Sequence, residues 1–556
     1  MALFGNFMKL LAVIALVSSL QVLANSEFQW VKLHATEELA WTPCYSGLQC
    51  SFLTVPLDYA SPATGNASIA IARYPAKCKK SEYRGPLLIN PGGPGGSGVD
   101  YVVDSGASIA TIIGEQYDIV GFDPRGVSYS TPTVYLFETD AERALWSTNT
   151  LYPSLNQSAD AVAQQWARGQ ILGQLAVNRN EKNYIQYMTT DNTARDMLRI
   201  TQAFGYEKLQ YWGVSYGSVL GSTFAAMFPD KVGRVVVDGV LDMQAWFSAN
   251  FTSEMLDTDQ VLQTFIDGCA AAGPDACAFH APTSTEITAK LTALFSSIKV
   301  QPIPVITPIS YGVVDYTVLR NFVFDAFYTP YALFATLAQS LSDLAKGDAK
   351  TLYSVTELPS FECECNTTTP FHANIYEAAL AIACGDATPV NDTVVELQAL
   401  YASERAVSTF ADLWGNWRIR CSGWQLHRDD RFKGPFGAPN VSFPLLVIGN
   451  TADPVAPLVG AKATAGAFPG SVLLTIDAPG HTSLGAPSTC ALGYLREYFQ
   501  NGTLPAPGTM CQPDDVLFPP TNGTATRGLD AHREELLMAG RTVGQAMRRA
   551  TARKLV

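Results

Sequence analysis

Positive charge is scarce in this chain. Only 37 of its 556 residues are Lys or Arg against 50 Asp or Glu, charged residues make up 16%, and the formal net charge is −13. An acidic surface repels phosphate backbones, which argues against nucleic acid as a partner. Histidine is rarer still, at six residues, and no Cys/His spacing matches a zinc site. The glycine-rich stretch at 90–98 lacks the Gly-Lys-Ser/Thr ending of a phosphate-binding loop. No metal and no organic cofactor is therefore expected. Apart from the N-terminus, which is too short, no apolar run approaches the length of a membrane span. Repeats and low-complexity segments are absent too. Hydrophobic residues nevertheless reach 47%, enough for a large core, so disorder as the main state is excluded.

The first 24 residues read as an export signal. Lys9 supplies the positive charge, Leu10 to Val17 is unbroken apolar sequence, and Val22-Leu23-Ala24 satisfies the small-residue rule for cleavage after Ala24. Eleven cysteines fit an oxidising compartment, where most would be paired. Eight Asn-x-Ser/Thr sequons, at Asn66, Asn156, Asn250, Asn366, Asn391, Asn440, Asn501 and Asn522, fit a glycosylated surface. A secreted, extracellular protein is expected.

Short apolar runs at Ile69–Tyr74, Pro86–Asn90, Tyr117–Phe122, Leu209–Val214 and Arg234–Val240 alternate with helix-forming sequence. The texture returns at Phe443–Asn450 and Ser471–Ala478. Strands at helical spacing imply βαβ units and a mostly parallel sheet, an α/β class. Residues 243–430 are helix-rich, and because sheet-like runs resume afterwards they read as a cap inserted into one core. The expected division is a signal at 1–24, core at 25–242 and 431–512, a helical cap at 243–430 and a tail at 513–556. The tail carries a basic helix from about Leu529 to Arg553, with little apolar periodicity.

Gly213-Val214-Ser215-Tyr216-Gly217 is a G-x-S-x-G motif between an apolar strand and a helix-prone stretch. A serine on such a strained turn is presented as a nucleophile. It needs a base to take its proton and an acid to orient that base. His481, in a Gly-flanked loop after a late strand, is the expected base. Asp453, after the preceding strand, is the expected acid, with Asp238 as the alternative. The cluster Leu88-Ile89-Asn90-Pro91-Gly92-Gly93-Pro94-Gly95-Gly96-Ser97-Gly98 offers bare amides to a developing oxyanion, and Tyr216, next after the nucleophile, is the expected second donor.

Four blocks make the resemblance specific: NPGGPGGSG (90–98), FDPRGVSYSTP (122–132), YWGVSYGS (211–218) and PLLVIGNTADPVAPLVGAKA followed by APGHTSLG. Together with WTPC…CSFLTVPLDYASP (41–62), they are similar to the secreted α/β-hydrolase serine peptidases of the tripeptidyl aminopeptidase and proline iminopeptidase group, over roughly residues 40–512. The resemblance implies an α/β-hydrolase fold with a helical cap, a Ser215–His481–Asp453 triad, Gly93 with Tyr216 as oxyanion donors, and an exopeptidase acting on peptides with free N-termini. Pro91 stands where the iminopeptidases carry His, which tilts the match to the tripeptidyl branch. Asp123 and Arg125 are expected to order their loop rather than to react. A carboxylesterase or lipase with the same machinery is the alternative, and a non-catalytic binding ectodomain a further one.

An exopeptidase of this kind needs a desolvated carboxylate to bind the substrate ammonium. Glu254, Asp257, Glu362, Glu364 and Glu377 are the candidates. Close spacing suggests Cys44–Cys50, Cys269–Cys277 and Cys490–Cys511 pairs. Pairing among Cys363, Cys365, Cys384 and Cys421 stays open, and Cys78 is the expected odd thiol.

Overall fold

A computed structural model describes residues 28–147, 154–180, 183–356, 374–520 and 530–552. The export signal, Glu362, Cys363, Glu364, Cys365, Asn366 and Asn522 lie outside the described residues. The described strands are β1 (Thr42–Cys44), β2 (Leu48–Pro56), β3 (Asn66–Tyr74), β4 (Pro86–Asn90), β5 (Asp118–Phe122), β6 (Leu209–Val214), β7 (Val232–Asp238), β8 (Ile303–Ile306), β9 (Tyr311–Val314), β10 (Leu446–Ala452), β11 (Val472–Pro479) and β12 (Met510–Cys511). All but β8 and β9 form one ten-stranded sheet in the order β1-β2-β3-β5-β4-β6-β7-β10-β11-β12. The contacts β1–β2, β2–β3 and β3–β5 are antiparallel; every pairing from β5 to β12 is parallel.

The near-continuous apolar character of the central strands follows from burial on both faces. Along them the pleat sends Leu88, Val120, Tyr211 and Val237 into one apolar layer. Ile89, Ile119, Trp212 and Val236 enter the other. Helices cover both. The short parallel pairing of β10 between β7 and β11 brings three strand ends, at Asp238, Ala452 and Pro479, to one rim of the sheet.

Between β7 and β10 the described chain is helical except for the antiparallel β8–β9 hairpin. Helices Thr258–Ala272, Ser284–Val300, Tyr316–Tyr328 and Pro330–Leu344 build an apolar centre of their own. It reaches the sheet rim at Ala452 and Val455. The helix Ala161–Asn178, which the sequence reading placed with the core, packs on Asn416–Cys421 of this region. Leu155 and Val162 join Leu397 and Ile419 in one apolar cluster.

Disulfides close Cys44–Cys50, Cys269–Cys277 and Cys490–Cys511. A fourth, Cys384–Cys421, was left open by spacing alone because it spans 37 positions and two helices. Cys78 is unpaired.

The tail departs from expectation. Its helix, Ala531–Ala552, does carry an apolar stripe, and Leu537, Val543, Ala546 and Met547 are buried. Apolar periodicity does not reveal the stripe because two of its positions are Gly540 and Gly544, whose backbone fills the space that side chains occupy elsewhere.

Candidate active site

Ser215 occupies the single residue between β6 and the helix Tyr216–Met227, with φ +59° and ψ −124°. A non-glycine residue in that region is strained and persists only where the surroundings fix it. Here its N–H donates to Asp238 O at 2.9 Å, tying the turn to the neighbouring strand. The motif's first glycine is dictated by contact, since a Cβ on Gly213 would stand 2.2 Å from Gly217 O.

The glycine cluster lies directly over this turn. A Cβ on Gly92, at φ +90°, would stand 2.8 Å from Ser215 Cβ and 3.1 Å from Tyr216 N. Asn90 Oδ1 shapes the bend by accepting Gly92 N–H at 2.9 Å. Neither Gly93 N–H nor Tyr216 N–H has an acceptor among the described residues. Tyr216 is the first residue of its helix, where backbone donors are unsatisfied in any case. Its side chain is locked: the hydroxyl meets Thr190 Oγ1 at 2.6 Å and the ring packs on Trp246. Asp386 joins the same network, accepting Thr190 N at 2.8 Å and Trp246 Nε1 at 2.9 Å. Burial pushes the Asp386 carboxyl up to about 7.

His481 follows β11 and is buried. Its Nδ1 lies 2.9 Å from both carboxylate oxygens of Asp453. Asp453 is itself held by three amides, those of Val455 (3.0 Å), Ala456 (2.9 Å) and Thr482 (3.0 Å). Asp238 does not reach the imidazole. It accepts Ser483 N at 2.8 Å, Ser483 Oγ at 2.6 Å and Trp212 Nε1 at 3.3 Å, and burial raises its carboxyl to about 6. Gly239, next in chain, stands beside the ring: a Cβ there would lie 3.2 Å from His481 Cε1. Ser215 and His481 thus flank the same two residues at the end of β7. His481 Nε2 has no hydrogen-bond partner among the described residues. Such contacts are often long until substrate arrives.

The cap supplies the far wall. Tyr328 O accepts His481 N–H at 2.9 Å, and its ring meets the imidazole edge-on at 5.2 Å between centroids. Asn450 Nδ2 donates to Gly480 O and Thr482 O, at 2.6 and 2.9 Å, bracketing His481. Neither residue was singled out from sequence. Asn450 lies in the run PLLVIGNTADPVAPLVGAKA with no local signal for this role, and Tyr328 belongs to no pattern.

Asp123 and Arg125 stand away from the reacting groups. Asp123 accepts Ser97 Oγ at 2.7 Å and Val99 N at 3.1 Å, fastening the end of the glycine cluster. Arg125 is fully buried in a two-pronged pair with Asp196, at 2.7 and 2.6 Å.

Among the carboxylates considered for the ammonium, Glu254 is buried with Oε1 accepting Asp242 N at 3.0 Å. Burial raises it well above the usual range, and the nearby Asp453 charge acts in the same direction. Asp257 is half-buried and accepts Leu458 N at 3.2 Å. Glu377 is neutralised by Arg143 at 2.6 Å. Glu362 and Glu364 lie outside the described residues. Asp325, also in the cap, is exposed, and the charge acting on its carboxyl is that of Arg548.

Residues 85–274 match the family model for the alpha/beta hydrolase fold, and residues 406–511 match the TAP-like protein family. The chain is 29% identical to the tripeptidyl aminopeptidase of Streptomyces coelicolor, covering 84% of this chain and 83% of that protein. It is 28% identical to the serine protease Hip1 of Mycobacterium tuberculosis, over 85% and 91% respectively. Carboxylesterase B of the same organism is also 28% identical, over 84% and 86%.

Proposed function

We propose that this chain, an α/β hydrolase by fold and by both of its family segments, is a secreted serine exopeptidase that removes short peptides, tripeptides foremost, from free N-termini. The observation that carries the reading is the His481–Asp453 pair beside the strained Ser215 turn, with two unbonded amides at Gly93 and Tyr216.

In the first half-reaction Ser215 Oγ attacks the scissile carbonyl and its proton passes to His481 Nε2. Asp453 stabilises the imidazolium through Nδ1–H and fixes which nitrogen is free to act as base. The amides of Gly93 and Tyr216 receive the negative charge that develops on the carbonyl oxygen. His481 then protonates the departing amine, leaving an acyl group on Ser215. A water molecule, deprotonated by the same imidazole, attacks that ester and frees the N-terminal peptide.

The names of two relatives, a tripeptidyl aminopeptidase and a serine protease, support peptide substrates. The N-terminal signal pattern, the sequons and the four disulfides support export. The named carboxylesterase relative favours a second reading, an esterase with no ammonium anchor.

Purified protein assayed on a free-amino tripeptide chromogen, its N-blocked form and a short-chain ester separates the two. The exopeptidase predicts the free peptide as best substrate. Blocking the peptide's amine should then raise KM by on the order of tenfold or more, the loss of one charge-assisted contact. Preference for the blocked peptide or the ester would establish the esterase reading instead.

A further inference from the structure

The C-terminal helix Ala531–Ala552 lies beyond both family segments and takes no part in the chemistry above. Most of its buried stripe packs on the helix Gly98–Ile113 behind the sheet. Gly544 meets a different neighbour. A Cβ there would stand 2.8 Å from the carbonyl oxygen of Leu484. Leu484 belongs to the short turn Thr482–Gly485, which begins immediately after His481. One turn further along, Arg548 Nη1 donates to Thr329 Oγ1 at 3.0 Å. Thr329 follows Tyr328, whose carbonyl and ring both meet His481. One helix therefore touches the turn on one side of the imidazole and the cap on the other.

The turn needs support. Thr482 sits at φ +67°, a left-handed conformation that a β-branched residue adopts only under constraint. On the core side, Asp453, Asn450 and Asp238 hold Thr482 and Ser483 by hydrogen bonds. On the outer side the turn rests on the helix backbone at Gly544. That contact is backbone against backbone, with no side chain to absorb a shift, so displacement of the helix passes directly to the turn.

We propose that the C-terminal helix is a positioning strap for His481, seating its turn through Gly544 against Leu484 and anchoring the facing cap through Arg548 on Thr329. This rests on the reading of Ser215, His481 and Asp453 as the reacting group. A helix that merely covers the apolar face of Gly98–Ile113 would share the burial but not the control of His481.

The helix contains its own control. Gly540, one turn earlier, would direct a Cβ only at the flexible Cδ1 of Leu492, 2.9 Å away. Full-length native protein, Gly544→Ala and Gly540→Ala are compared for kcat and KM on the tripeptide chromogen, for the rate of Ser215 labelling by a fluorophosphonate, and for thermal unfolding. Misplacement of the base by a fraction of an ångström to 1 Å predicts that Gly544→Ala loses on the order of ten- to a hundredfold in kcat and labelling rate at unchanged KM. Gly540→Ala should keep native values of both. A folded Gly544→Ala with native rates, or equal losses in the two variants, overturns the proposal. Should Gly544→Ala fail to fold, Arg548→Gln carries the test: severalfold lower kcat, restored by Arg548→Lys, supports the strap, and native kcat overturns it. If the native protein does not label, or Ser215→Ala labels equally well, the reading of the reacting group fails instead.

Discussion

At the scale of single residues, the most exacting demand falls on Asp453. Its carboxylate accepts three backbone amides besides the imidazole, so its position does not depend on His481 being present. Asp453→Asn should therefore fold, while an amide in that place favours the wrong imidazole tautomer. A fall in kcat on the order of a thousand- to ten-thousandfold is expected, with KM little changed, measured by steady-state kinetics on the tripeptide chromogen. Ser215, Asp453 and His481 could all be picked out from the sequence because each sits at a strand end within a few residues of glycine or proline, where local pattern carries the signal. Asn450, Tyr328 and Asp386 could not. Each acts through a partner that tertiary packing alone brings near: Tyr328 lies far along the chain from the His481 it touches, and Asp386 from the Thr190 it bonds.

Among elements, the parallel strands were the most legible, since burial on both faces demands unbroken apolar runs and Gly and Pro in the adjoining turns mark where they end. Pro86–Asn90 and Leu209–Val214 have the bounds their apolar runs suggest. The antiparallel strands β1 and β2 were read only as part of a resemblance, and the apolar stripe of the tail helix went unseen because glycine carries no hydrophobic signature. The Cys384–Cys421 bridge shows the same limit for covalent links. It ties the helix Ile375–Asp386, which lies against Gly95 of the glycine cluster, to Asn416–Cys421. Closing a 37-residue separation removes chain entropy worth about 4 kcal/mol from the unfolded state. Replacing both cysteines by Ser should lower stability by up to that amount, read from denaturant midpoints. Activity on the chromogen should fall as well, since the tethered helix backs the oxyanion donors.

On the scale of the whole molecule, the low proportion of charge hides an unusual distribution, with several carboxyls buried. Asp123 and Asp386 are both raised to about 7 by burial, from an ordinary value of 3.8. The folded state therefore binds more protons than the unfolded chain between about pH 4 and 7. Their contribution to stability is fully present below about 4 and is lost as pH rises through 7. For either acid the loss is on the order of 4 kcal/mol. Thermal melts across that interval should show stability falling with rising pH, and Asp386→Asn should flatten the fall. Among the sequons, Asn66, Asn250, Asn391, Asn440 and Asn501 are exposed. Asn156 is half-buried with Nδ2 bonded to Tyr316 at 3.0 Å, so a glycan there would have to break that bond. Peptide mapping after deglycosylation should find Asn156 unmodified.

The order in which the chain is made gives the sheet one last consequence. β10 and β11, which present Asp453 and His481, can join β7 only after the long helical region between them has been synthesised. A nascent polypeptide that already displays the Ser215 turn thus lacks both its acid and its base. Hydrolytic activity is therefore deferred until nearly the whole molecule has emerged.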